Sequence, residues 1–136
     1  MDEQEQQEVM DIATKYFMRE TGGDEAQTQQ MLANLAQLVQ EPGIKLAHIE
    51  NVLFMIIVRG KGAVEVHTMA AEAIPNDLVR AFKKLVPFLK NMGVKMAYTY
   101  TDDRRFAAVA RATKLPVRME RTNIDGKPMF VYIMEF

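Results

Sequence analysis

Glu65 and His67 stand two positions apart in the run AVEVHTM, Ala63–Met69. In an extended chain, residues two apart point to the same face. A histidine changes charge near neutrality, so His67 can act as a base toward a nucleophile. The ordinary expectation for it is a partly buried ring with one hydrogen bond. Glu50 and Glu72 are further candidate bases, with no spacing that singles them out. Tyr98 and Tyr100 share a strand face with Met96. They could stack on a ligand, but packing under a helix is expected. The run DDRR, Asp102–Arg105, offers two arginines to a phosphate. Its expected role is to open a helix, with acids at the positive end of the dipole and solvated arginines after them. The chain has no cysteine, which excludes disulfides and thiolate chemistry. Its two histidines, His48 and His67, are too few for a histidine-rich metal site, so no metal is expected.

The elements that would position these groups are legible from period and punctuation. In residues 3–20, Val9, Ile12, Ala13, Tyr16 and Phe17 form one helical stripe, stopped by Gly22 and Gly23. Asp24 is placed to cap a second helix, with Gln27 as its capping-box partner. Met31, Leu32, Leu35, Leu38 and Val39 make that helix's buried face, and Pro42–Gly43 ends it. The period then changes. IKLAHI, Ile44–Ile49, alternates weakly and reads as a short strand. VLFMIIV, Val52–Val58, is a continuous apolar run, as expected of a strand covered on both faces. RGKG, Arg59–Gly62, is a turn into AVEVHTM.

Asn76 or Asp77 should cap a third helix, whose Leu78, Phe82, Leu85 and Leu89 face inward. Pro87 inside it should kink the helix or end its regular part. Gly93 stops it. VKMAYTYT, Val94–Thr101, is a strand. Asp102 or Asp103 opens a fourth helix with Phe106, Val109 and Ala110 inward, closed by Pro116. Two last strands, Arg118–Asn123 and Met129–Glu135, flank a hairpin turn at Asp125–Gly126. The strand–helix–strand passage from Ala63–Met69 to Val94–Thr101 should be parallel; the other pairs read as antiparallel. The fold class is therefore α/β with a mixed sheet, in one domain over 1–136: a helical part over 1–41 and a sheet-containing part over 44–136.

With 136 residues, 49% hydrophobic and 26% charged, the composition is that of one soluble domain. The longest apolar run is far too short to cross a bilayer. The first residues are acidic and glutamine-rich, unlike a targeting peptide, so a cytoplasmic setting is expected. The net charge of −1 hides a split. Residues 1–41 carry −7 and residues 77–121 carry +7. Such polarity can seat a charged partner or a second copy; neutralisation within one monomer is the simpler expectation.

From about Val52 to Phe136, this order resembles the GCN5-related N-acetyltransferase (GNAT) family. VKMAYTYTDDRRFAAVARATKLPVRMER is similar to that family's strand, helix and following strand. LPV, Leu115–Val117, stands where such proteins often read leucine-glycine-phenylalanine, and the ending MFVYIMEF is similar too. The resemblance implies a cleft between two splayed parallel strands. It also implies a glycine-rich loop at the start of the main helix, whose backbone N–H groups hold the pyrophosphate of acetyl-CoA. Here that segment is AAEAIPND, Ala70–Asp77, without glycine or arginine and with Glu72 and Asp77. If the chain were an enzyme, the backbone of Pro75, Asn76, Asp77 and Leu78 would hold the cofactor, and Glu65 or His67 would be the base. The tyrosine that serves the family as general acid is matched by Ala112, and an asparagine often found earlier on that helix by Arg105.

The expectation is thus a degenerate member of the fold, without catalytic residues or cofactor, that binds another protein or itself. In length and ending, the chain also resembles the GNAT-like internal virion protein of short-tailed bacteriophages. That implies a phage-encoded virion component or assembly factor, in the host cytoplasm or the virion. The alternatives are an acetyl-CoA-dependent N-acyltransferase with a divergent cofactor loop, and a nucleic-acid-binding module using Lys83, Lys84, Lys90, Arg104, Arg105 and Arg111. A pI near 6.1 makes nucleic acid the weaker of these, and no membrane partner is expected.

Overall fold

The computed structural model describes residues 2–72 and 75–136. The elements run α1 (Glu3–Glu20), α2 (Glu25–Leu38), β1 (Ile44–Ile49), β2 (Val52–Gly60), β3 (Ala63–Ala70), α3 (Leu78–Asn91), β4 (Met96–Thr101), α4 (Phe106–Thr113), β5 (Val117–Ile124) and β6 (Lys127–Glu135). The sheet order is β1-β2-β3-β4-β6-β5. Only β3 and β4 pair in parallel; the other pairs are antiparallel. The fold class is the mixed α/β architecture that the sequence pattern implies.

The two faces of the sheet follow from the alternation of β2 and β3. Val52, Phe54, Ile56, Val64 and Val66 meet Leu78, Ala81, Leu85 and Leu89 of α3 in one core. Leu53 and Met69 point the other way and meet Ile12 and Ala13 of α1 and Leu35 of α2. The continuous apolar run of β2 is thus explained: α3 covers one face and α1 and α2 the other. Only its tail escapes, where Val58 is 53% exposed.

Both N-terminal helices are capped by aspartates. Asp2 accepts from the Glu5 N–H at 2.8 Å and Asp24 from the Gln27 N–H at 3.0 Å. The inner face of α2 is narrower than its sequence implies. Leu35 is buried, but Met31 and Leu38 lie 38% and 43% exposed. Thr28 is buried instead, because its hydroxyl bonds to the Asp24 carbonyl at 2.8 Å and is satisfied without water.

α3 continues through Pro87 to Asn91 instead of ending there. Its buried stripe is Leu78, Ala81, Leu85 and Leu89, with Phe82 at the margin. Asp77 occupies the cap position but makes no side-chain cap bond. α4 begins later than expected, at Phe106. Asp103 does not cap it; its carboxylate instead accepts from the backbone and guanidinium of Arg105. The final hairpin turns at Asp125 and Gly126, both with positive φ, as the sequence implies.

The turn RGKG seats β4. The Gly62 carbonyl accepts from the N–H groups of Lys95 (2.7 Å) and Met96 (2.9 Å). Gly62 has φ +69°, and a Cβ there would lie 2.9 Å from Lys95 Cγ. Gly62→Ala should therefore destabilise the protein by more than about 1 kcal/mol, read as a lowered urea midpoint. A neutral result would mean that this turn does not hold β4 in place.

Candidate functional site

β3 and β4 pair over only three residues each, Ala63–Glu65 with Met96–Tyr98. Beyond that point the strands part, and a cleft of about 340 Å³ opens between them. His67, Thr68 and Ala70 line it from β3, and Thr99, Tyr100 and Thr101 from β4. Tyr16, Arg19 and Glu20 enter from α1, and Phe106 from α4. This is the splay that the family resemblance implies.

The structure brings Glu65 and His67 together. The His67 Nε2 contacts the Glu65 carboxylate, which also takes the Arg59 guanidinium at 3.3 Å. His67 is the exposed member of the pair, not partly buried as expected. Tyr98 and Tyr100 stack edge to face, with centroids 5.6 Å apart. They are not packed under a helix either: Tyr100 is 39% exposed. Burial, followed by the Glu65 charge, pushes the Tyr98 phenol above its ordinary range, so it stays neutral. The Thr68 hydroxyl oxygen is buried in the structure without a hydrogen-bond partner.

The other candidates are engaged elsewhere. Glu50 sits in the β1–β2 turn with φ +54° and pairs with Lys84 and, at 3.7 Å, with Arg80. The Lys84 hydrogen bond is the main cause holding its carboxyl below the usual range. Ala112, at the position of the family's general acid, is an exposed alanine on α4. Arg105 turns back on Asp103 at 2.8 Å. No group of three or more histidine, aspartate or glutamate side chains among the described residues could hold a metal.

The end of the cleft near α3 decides what it can hold. Part of the candidate cofactor loop, Ala73 and Ile74, lies outside the described residues. Of the four backbone positions singled out there, Pro75 has no N–H, and the Leu78 N–H is taken by the Pro75 carbonyl at 3.2 Å. Asn76 and Asp77 remain, in a hollow lined by Glu8, Asp11, Glu72 and Asp77 against Lys15 and Arg80. Arg19 is held by the carbonyls of Ala70 (3.0 Å) and Ala71 (2.7 Å). At the opposite rim, hydrogen bonds from Lys127 and Arg105 hold the carboxyls of Asp102 and Asp103 below their ordinary range. These acids are therefore charged near neutrality. An anion at a helix N-terminus is favourable, but here the chain itself supplies it.

Beneath the cleft an aromatic chain closes the space between α3 and α4. Phe54, Phe82, Phe106 and Tyr132 follow one another at centroid distances of 5.2, 5.5 and 4.7 Å. Phe106 lines both the cleft and a small apolar cavity of about 80 Å³ behind it. Tyr16, Arg19 and Phe106 are the site residues that sequence reasoning missed. Each read simply as part of a helix stripe or a helix end.

By sequence, the chain matches no family model and no curated protein. By structure, it has the fold of the GNAT acetyltransferases. It is similar to the Campylobacter jejuni N-acetyltransferase PseH, solved with acetyl coenzyme A, at a TM-score of 0.62 and 9% identity over 99% of this chain and 92% of that one. The ribosomal-protein-S5-alanine acetyltransferase of Vibrio fischeri gives 0.61 and 14% over 94% and 88%. The PaiA N-acetyltransferase of Thermoplasma acidophilum, solved with coenzyme A, gives 0.60 and 10% over 96% and 92%. At these identities the likeness establishes the fold and nothing finer.

Proposed function

We propose that this chain is a binding protein on the acetyltransferase fold, acting through a protein partner rather than by acyl transfer. The observation that carries the reading is the charge around the N-terminal end of α3. There Glu8, Asp11, Glu72 and Asp77, with Lys15 and Arg80, line the hollow that holds Asn76 and Asp77. A polyanion entering this hollow meets four carboxylates against two cations. The resemblance to the phage internal virion protein supplies the setting: a virion component or an assembly or host-takeover factor.

A second reading, N-acyl transfer with a divergent cofactor loop, has its own support. Glu65 and His67 touch beside the cleft, where they can serve as a base, and Thr68 offers an unpartnered hydroxyl within it. The structural neighbours named above are acetyltransferases, which supports this reading.

Calorimetric titration with acetyl-CoA at millimolar concentration separates the two. The binding reading expects heats of dilution only and an unchanged melting temperature, because a ligand taken up by the native state alone would raise it. A micromolar dissociation constant would replace that reading with the transferase.

A further inference from the structure

The charge split of the sequence becomes a separation in space. α1 and α2, which carry six acids and two bases, cover one face of the sheet, and α3 and α4, which carry five bases and no acid, cover the other. Neutralisation within the monomer, the simpler expectation, is not made through close ion pairs. Among the described residues no ion pair joins the acids of residues 1–41 to the bases of residues 77–121. The one ionic contact those acids make is between Glu5 and His48, at 3.9 Å. On the other side, Lys83, Lys90, Arg104, Arg111, Lys114 and Arg121 are exposed and have no acidic partner within 4.0 Å. Each face also carries exposed apolar side chains: Met10, Met31 and Leu38 on the acidic side and Phe88 on the basic side.

We propose that the acidic α1/α2 face of one copy docks on the basic α3/α4 face of the next. The helices of the two faces carry net charges of −4 and +5, opposite in sign. The apolar side chains supply burial that charge alone does not. The two surfaces lie on opposite sides of the sheet, so the contact is heterologous. A copy docked at one face still offers the other, which leads to rings or open chains rather than a closed two-fold dimer. Nucleic acid is the competing occupant of the basic face. The acidic face and a pI of about 6.1 argue against it, because a nucleic-acid module is basic overall. The inference concerns the outer surfaces and holds whether or not the cleft takes an acyl-CoA.

Sedimentation velocity on the full chain tests it. The wild type should rise above monomer mass with concentration at low ionic strength and return to monomer at high salt, since exposed charges are screened. Lys83→Glu/Lys90→Glu reverses part of the basic face, and Glu8→Lys/Asp11→Lys part of the acidic face. Each double variant alone should lose association. Mixed together, they should form one-to-one pairs, because each retains the face that the other needs. The proposal is overturned if the wild type stays monomeric at low salt. It is also overturned if both variants associate like wild type, or if mixing restores nothing. Binding of a DNA duplex by a monomeric wild type, lost in Lys83→Glu/Lys90→Glu, would assign the basic face to nucleic acid instead.

Discussion

Replacing Phe54 by alanine is expected to cost about 3–5 kcal/mol, the range for truncating a buried aromatic. Phe54 is 0% exposed in the middle of β2. It lies in the core between the sheet and α3, with its ring 5.2 Å from that of Phe82. A domain of this size is stable by only about 5–15 kcal/mol, so the variant should be close to unfolding at physiological temperature. Phe82→Ala should cost less. Its ring is only partly buried, and its neighbours Phe54 and Phe106 can close on the space. Urea melts at constant slope give both values. If Phe82→Ala is the costlier change, α3 presents a different face to the sheet, and the aromatic chain beneath the cleft is misplaced with it.

The fold was legible wherever period and punctuation agreed. β2 read as doubly covered because seven apolar residues run without a break, and both of its covers are present. The final hairpin was legible because Asp125–Gly126 supplies two positive-φ positions between alternating strands. Errors arose where one local rule competed with another. Pro87 left two outcomes open, a kink or an end, and the helix does not end there: Leu85 and Leu89 on either side are buried, and tertiary packing keeps the turn helical. Leu38 continues the stripe of α2, but it is the last residue of the helix and lies 43% exposed. Asp103 looks like a cap, but its carboxylate is claimed by Arg105 two residues on, so α4 starts after that turn.

The site was legible only where it is local. Glu65 and His67 are two apart on one strand, and a period of two is enough to place them side by side. The parting of β3 and β4 was expected only through the family resemblance, since no residue type marks the end of a parallel pairing. Arg19 reaches Ala70 and Ala71 across some fifty positions of sequence. Long-range placement of that kind depends on how α1 docks, and helix periodicity does not determine it. Tyr98 and Tyr100 failed for a related reason. A strand face of tyrosines implies a cover, and whether one exists is decided by the number of helices available. Here α1 and α2 contact β2 and β3, and that side of β4 is left partly open.

Deleting residues 1–41 is expected to leave an insoluble or molten chain. α1 and α2 are the cover on one face of the sheet. Their removal would uncover Leu53, 0% exposed, and Met69, 3% exposed, together with the partly buried Leu46 and Met55. Burial of one large apolar side chain is worth about 1.5–3 kcal/mol. Losing it at Leu53 and Met69 alone approaches the whole stability of a small domain. The loss would also bare a contiguous apolar surface on β2 and β3, the kind of patch that drives association. The loss of Arg19 would also remove its hydrogen bonds to the Ala70 and Ala71 carbonyls at the end of β3. Solubility, near-ultraviolet circular dichroism and the cooperativity of a urea melt report the outcome. A soluble Gly43–Phe136 fragment that unfolds in one sharp transition would show the opposite: a sheet stable by itself, with the two acidic helices as a separable arm. In that case the acidic face belongs to the arm rather than to the folded core, and salt-dependent association should disappear in the fragment while its fold survives.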